Sequence, residues 1–224
     1  MCSSDLTKFL ITLSFFLNIT ILQSQKSDIW SDDNFTGLEF RSIGPALMSG
    51  RISDIAIHPE DENTWYVTVG SGNVWKTQNS GITWDPIFDD QASYSIGCVT
   101  IDPNNPEVVW IGTGEDQGGR HFGYGDGIYK SLDGGKNWTN MGLKNSERIS
   151  KILIHPKNSN IVWVAVQGPL WSSGGQRGLY KTVDGGKNWK LVLKDNKWTG
   201  ATEVILDPSN KKVMYAALWQ RHRT

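Results

Sequence analysis

The stretch Tyr129-Lys130-Ser131-Leu132-Asp133-Gly134-Gly135-Lys136-Asn137-Trp138 decides the fold, because the chain contains it three times. Tyr180-Lys181-Thr182-Val183-Asp184-Gly185-Gly186-Lys187-Asn188-Trp189 repeats it closely, and Trp75-Lys76-Thr77-Gln78-Asn79-Ser80-Gly81-Ile82-Thr83-Trp84 repeats it with Asn for Asp. The shared pattern is aromatic-Lys-[Ser/Thr]-x-[Asp/Asn]-x-Gly-x-[Thr/Asn]-Trp. Asp beside Gly favours a tight turn: the carboxylate accepts backbone N–H bonds and Gly takes positive φ. Strands on either side then form a hairpin. The Trp is expected to cover that hairpin with its apolar face. Asp133 and Asp184 are therefore expected to be structural rather than catalytic. Asn79 supports this, since an amide makes turn bonds but is a poor acid–base group. The turn set is Asn79, Gly81, Trp84, Asp133, Gly135, Trp138, Asp184, Gly186 and Trp189.

A second series runs in register with the first. His58-Pro59, Asp102-Pro103, His155-Pro156 and Asp207-Pro208 each close an apolar run, and eight residues after each His or Asp stands Tyr66, Trp110, Trp163 or Tyr215. Successive units are 44, 53 and 52 residues apart. A position that takes either His or Asp before Pro wants a turn-forming hydrogen bonder, not a metal ligand or a base. Each unit reads strand, Pro turn, strand, variable loop, strand, Asp-box turn, strand. That is a four-stranded blade, and the fold expected is an all-β propeller. The ten-residue pattern is the Asp-box, or BNR repeat.

The units span about 51–90, 95–143, 148–195 and 199–224, the last stopping before a box. Three and a half blades are too few for the roughly four to eight of a closed ring, and an open array exposes sheet edges. The expectation is the N-terminal part of a longer propeller, with the remaining blades as a partner and the isolated chain poorly soluble or domain-swapped. Residues 34–44 are a candidate closing strand.

The N-terminus reads as a targeting segment. Lys8 precedes Phe9-Leu10-Ile11-Thr12-Leu13-Ser14-Phe15-Phe16-Leu17, and Ser24 and Gln25 follow the apolar stretch. This predicts a signal peptide over 1–25, a linker over 26–36, the propeller from 37, and export to the periplasm, cell surface or medium. The stretch is short for a membrane span and Asn18 interrupts it, so no span is expected after cleavage. Cys2 would leave with the signal. Cys98, in Ile96-Gly97-Cys98-Val99-Thr100-Ile101, is expected to be a buried thiol.

With 22 basic and 23 acidic residues the net charge is −1. No basic stretch exceeds a pair before Arg221-His222-Arg223, so nucleic acid is not expected as a partner. There is no metal-ligand cluster, phosphate cradle or nucleophile elbow, and no cofactor is expected.

Insertions mark where a scaffold tolerates decoration. From four residues past the repeat aromatic to the repeat Lys, the loop takes 6 residues in the first unit, 16 in the second and 14 in the third. The second holds Glu115, Asp116, Arg120 and His121; the third holds Trp171 and Arg177. These are the candidate binding residues for a protein, peptide or glycan ligand. Arg51 and Arg148 recur at the start of the first strand and can point at an anionic ligand or pair with a neighbouring carboxylate.

From about Gly37, Leu38-Glu39-Phe40-Arg41-Ser42-Ile43-Gly44-Pro45, Ile111-Gly112-Thr113-Gly114-Glu115 and the three boxes resemble large exported bacterial Asp-box proteins related to the sortilin/Vps10 propeller. The chain is more distantly similar to xyloglucanase-type glycoside hydrolases and to photosystem II assembly-factor propellers. The first resemblance implies a protein- or peptide-binding module. The second implies action on polysaccharide, but it places the catalytic Asp of those enzymes at Gly70. An inverting glycosidase needs two carboxylates, so a glycoside hydrolase remains the alternative rather than the first reading, and no catalytic residue is assigned.

Overall fold

The computed structural model describes residues 50–116 and 122–221. The expected signal peptide, the linker, the candidate closing strand 34–44, Arg120 and His121 lie outside the described residues. Among the described residues no helix forms. The first sheet is β1 (Ile52–His58), β2 (Asp61–Val69), β3 (Asn73–Thr77) and β4 (Asp85–Pro86). The second is β5 (Ile96–Ile101), β6 (Val109–Thr113), β7 (Ile128–Ser131) and β8 (Thr139–Asn140). The third is β9 (Ile149–His155), β10 (Asn158–Val166), β11 (Gly178–Thr182) and β12 (Lys190–Leu193). The fourth has two strands, β13 (Thr199–Leu206) and β14 (Met214–Gln220). Each sheet is an antiparallel meander in chain order.

The sheets stack through their first strands: β1 lies by β5, β5 by β9, and β9 by β13. That arrangement, the first strands innermost and the sheets side by side, is a β-propeller. The apolar alternation explains it. Tyr66 and Val74 of the first sheet share a buried cluster with Val99, Val109, Ile111 and Tyr129 of the second. Trp110 and Ile128 of the second face Ile149, Ile152, Val162 and Val164 of the third. Trp163, Ala165 and Leu179 of the third face Ala201 and Val204 of the fourth. Successive residues of β6 thus serve opposite cores, so its run Val109–Thr113 is buried throughout, as expected for a strand covered on both faces. Hydrogen bonds stitch the inner strands. Thr100 Oγ1 donates to the Ile152 carbonyl at 3.0 Å, and Val99 N–H donates to Asp54 at 3.2 Å. Cys98 is buried, with Sγ 3.7 Å from the Ile149 carbonyl, and burial pushes its thiol well above the ordinary range.

The Pro turns carry one hydrogen bond in four versions. His58 Nδ1 accepts from Glu60 N–H and His155 Nδ1 from Lys157 N–H, each at 3.2 Å. Asp102 and Asp207 accept from Asn104 and Ser209 N–H at 2.8 Å. Imidazole and carboxylate are interchangeable there because the turn asks only for an acceptor two residues upstream of the N–H.

The boxes are turns of the expected kind. Asp133 Oδ1 accepts Asn137 N–H at 2.9 Å and Ser131 Oγ–H at 2.8 Å. Asp184 repeats this with Asn188 and Thr182, and Asn79 with Thr83 and Thr77. Gly134 and Gly135 sit at φ +66° and +92°, where glycine is favoured. The Trp differs from expectation. Trp138 Nε1 donates to the Ile87 carbonyl of the first sheet's trailing loop at 2.7 Å, and its ring meets Phe88 edge-on at 5.3 Å. Trp189 donates to the Met141 carbonyl at 2.8 Å and meets Trp110 of the second sheet edge-on at 6.3 Å. Each therefore covers the preceding sheet. Trp84 alone stays on its own turn, donating to Gly81.

Candidate functional site

Antiparallel meanders divide the connections between two ends. The Pro turns and boxes share one end. The second-to-third-strand loops and the sheet-to-sheet links share the other, so the two long loops are neighbours there. Tyr94, Tyr124, Trp171 and Trp219 are exposed at that end. Tyr94 precedes β5, Tyr124 and Trp171 come from the long loops, and Trp219 pairs with Gly200 where β14 finishes. Tyr94 and Trp219 had no place among the sequence candidates. Their signal was an aromatic beside a link between sheets, which only the topology gives a face.

Arg51 and Glu115 are brought together. Arg51 Nε donates to Glu115 Oε1 at 2.5 Å, and Nη2 also reaches that oxygen. Glu115 is fully buried, while Arg51 is about half exposed. A Cβ at Gly70 would lie 2.9 Å from the Glu115 carboxyl carbon. The missing side chain at position 70 is thus what makes room for a carboxylate from the next sheet. Asp116 follows it, half-buried.

Arg148 and Arg177 are also neighbours, and both are buried. Arg177 directs its five N–H groups at five carbonyls: Gly174, Gln167, Trp198, Pro169 and Ser172. It holds the third-sheet loop in shape and has no N–H left for a ligand. Arg148 Nη1 donates to the Gly168 carbonyl at 3.1 Å and lies 3.9 Å from Glu147. Burial is the main cause holding its guanidinium below the ordinary range. The cavity between Arg148, Gln167 and Arg177 measures about 10 Å³, the volume of one water rather than of a carboxylate. Among the described residues the Arg148 Nε and Nη2 are buried without a hydrogen-bond partner.

Around it runs a ladder of rings and guanidiniums. Arg148 lies 4.9 Å from the Phe122 ring and 5.8 Å from Tyr124; Arg221 lies 5.0 Å from Phe122 and 4.7 Å from Trp219. Such contacts are favourable at these distances. They join loops of the second, third and fourth sheets into one surface with aromatics at its rim. Among the described residues no His, Cys, Asp and Glu cluster suits a metal ion, and no helix is long and apolar enough to cross a membrane.

The family model for Sortilin-Vps10, described as sortilin, neurotensin receptor 3, matches residues 72–217. The chain belongs to the Sortilin-Vps10 family. Among curated proteins it is 23% identical over 197 residues to a probable oligoxyloglucan-reducing end-specific xyloglucanase of Neosartorya fischeri, covering 79% of this chain and 22% of that protein. It is 23% identical over 207 residues to xyloglucanase Xgh74A of Acetivibrio thermocellus, covering 80% and 23%. This Sortilin-Vps10 chain therefore spans under a quarter of the length of those relatives. Among solved structures, an ancestral GH74 enzyme aligns with a TM-score of 0.58 at 20% identity, over 75% of this chain and 22% of that one. At that identity the likeness supports the propeller fold alone.

Proposed function

We propose that this propeller module binds a protein or peptide ligand on the long-loop face. The observation that carries the reading is the rim of exposed aromatics: Tyr94, Tyr124 and Trp171 on the loops and Trp219 at the end of β14, around an Arg–aromatic ladder with buried Arg148 at its centre. Exposed Trp and Tyr on a preorganised surface suit peptide recognition, because they offer large contact area at small entropic cost. Membership of the Sortilin-Vps10 family agrees with it.

A second reading, action on polysaccharide, is favoured by the xyloglucanase relatives. Against it stand Gly70 and the state of Glu115. A carboxylate that is buried and tied to Arg51 is not placed to protonate a glycosidic oxygen.

The test is to pan a displayed random-peptide library on the full chain and titrate the recovered peptides. Trp171→Ala and Tyr124→Ala are each expected to weaken binding about tenfold or more. Recovery of no peptide, together with binding or cleavage of xyloglucan oligosaccharides, would overturn the proposal.

A further inference from the structure

The Arg at the head of the first strand occurs twice in the same setting. Arg51 stands 15 residues before Tyr66, and Arg148 stands 15 before Trp163. The residue four past each aromatic donates its N–H to the Arg carbonyl: Gly70 to Arg51 at 2.8 Å and Gln167 to Arg148 at 3.0 Å. The two arginines are therefore equivalent parts of the first and third sheets.

Their partners differ. Arg51 turns the guanidinium edge formed by Nε and Nη2 onto Glu115, five residues past Trp110 in the following sheet. The residue five past Tyr215, in the sheet that follows the third, is Gln220. It has no charge to offer. Among the described residues the same edge of Arg148, Nε and Nη2, is buried without a hydrogen-bond partner, and the side chain is 1% exposed. These N–H groups point the same way from a planar group, so they converge on one acceptor. A buried charge with unmet donors is costly.

The surroundings favour a negative guest. Arg177 and Arg221 line the same cavity as Arg148, and the acceptors around Arg177 are uncharged carbonyls. Glu147 stands 3.9 Å from Nη1 and not on the open edge. Burial is the first cause lowering the proton affinity of Arg148; Glu147 opposes it, and Arg221 and Arg177 add to it. Size restricts the guest. At the first sheet Gly70 leaves room for a carboxylate, since a Cβ there would lie 2.9 Å from the Glu115 carboxyl carbon. At the third, Gln167 has a side chain in that place, and the cavity left is about 10 Å³. That suits a guest the size of a water, not a carboxylate, phosphate or sulfate. Gln167 Oε1 is also buried without a partner, and a half-turn of its amide puts the NH2 there as a further donor.

We propose that this cavity is a halide site, holding chloride on the Nε and Nη2 edge of Arg148 with the Gln167 amide as the third donor. The ion does for the third and fourth sheets what the Glu115 carboxylate does for the first and second. Gly168, Pro169 and Leu170 line the cavity and lead to Trp171, so the ion also fixes the root of the third sheet's long loop.

The experiment follows the melting temperature of the full chain as sodium chloride or bromide replaces sodium gluconate. Ionic strength is held at about 0.15 M, so that screening stays constant. Either halide is expected to give a saturable rise of about 3 °C or more, because a ligand of the folded state alone stabilises it. Gln167→Glu puts a fixed carboxylate beside Arg148 and is expected to fold and to lose the halide response. Arg148→Met is expected to lose it as well. In crystals grown in bromide, anomalous scattering is expected within hydrogen-bond reach of Arg148 Nε and Nη2. Equal melting in gluconate and chloride would overturn the proposal, as would a bromide crystal whose cavity holds water. A full halide response in Gln167→Glu would overturn it too.

Discussion

Asp133 carries the turn of the second box, and its hydrogen bonds set its acidity. The Asn137 side-chain amide is the largest cause, followed by the Asn137 and Ser131 donors, and together they bring its carboxyl down to about 2. Asp184 is lowered in the same way, with the Thr182 hydroxyl foremost. An ordinary Asp titrates near 3.9 in the unfolded chain. The folded value lies below it, so the stabilisation is complete above about pH 4 and is lost as pH falls through about 2. Asn79 accepts the equivalent backbone N–H in the first box without a charge, and its Nδ2 donates to Thr83 Oγ1 where Asp133 accepts from the Asn137 amide. Asp133→Asn is therefore expected to leave the melting temperature at pH 7 nearly unchanged and to flatten its decline between about pH 4 and 2. Melts across that range check it, and a large loss at neutral pH would contradict the equivalence. This residue-scale chemistry was legible in the sequence, because a turn is closed by neighbours within five positions.

At the scale of the element, the box Trp shows what local reasoning leaves out. Spacing alone places Trp138 and Trp189 beside their own hairpins. The structure turns each onto the preceding sheet, where its indole N–H finds a carbonyl. Among the described residues Trp84 makes its own-turn bond and a tilted contact with Trp65 at 6.4 Å. Removal of a fully buried Trp costs about 3–5 kcal/mol. Trp189 is only partly buried, so Trp189→Ala is expected to cost about 2–3 kcal/mol and Trp84→Ala under about 1 kcal/mol. Urea titration of the two variants measures the difference; equal losses would deny the inter-sheet role. The Arg–Glu pair teaches a similar lesson. Arg51 and Glu115 were both picked out from the sequence, yet 64 residues separate them, and only the stacking of the first two sheets makes them partners.

At the scale of the molecule, the repeat register gave the propeller and the paired long loops. From Lys8 and the apolar run after it we propose that the chain is exported after cleavage near Gln25. Expression with the native N-terminus followed by intact-mass measurement of the exported fraction tests this; an uncleaved, cytosolic chain would defeat it. What the sequence by itself determined is the set of features written in short-range patterns: turns, strand alternation, and the period that stacks like on like. Hydrogen-bonded turns and period-two burial depend on neighbours in the chain, so their rules can be read along it. The tertiary structure alone decided which side chains meet across sheets. It tied Glu115 to Arg51 in the space left by Gly70 and spent the donors of Arg177 on its own loop. Those outcomes depend on distances between residues far apart in the chain, which packing sets and spacing does not encode.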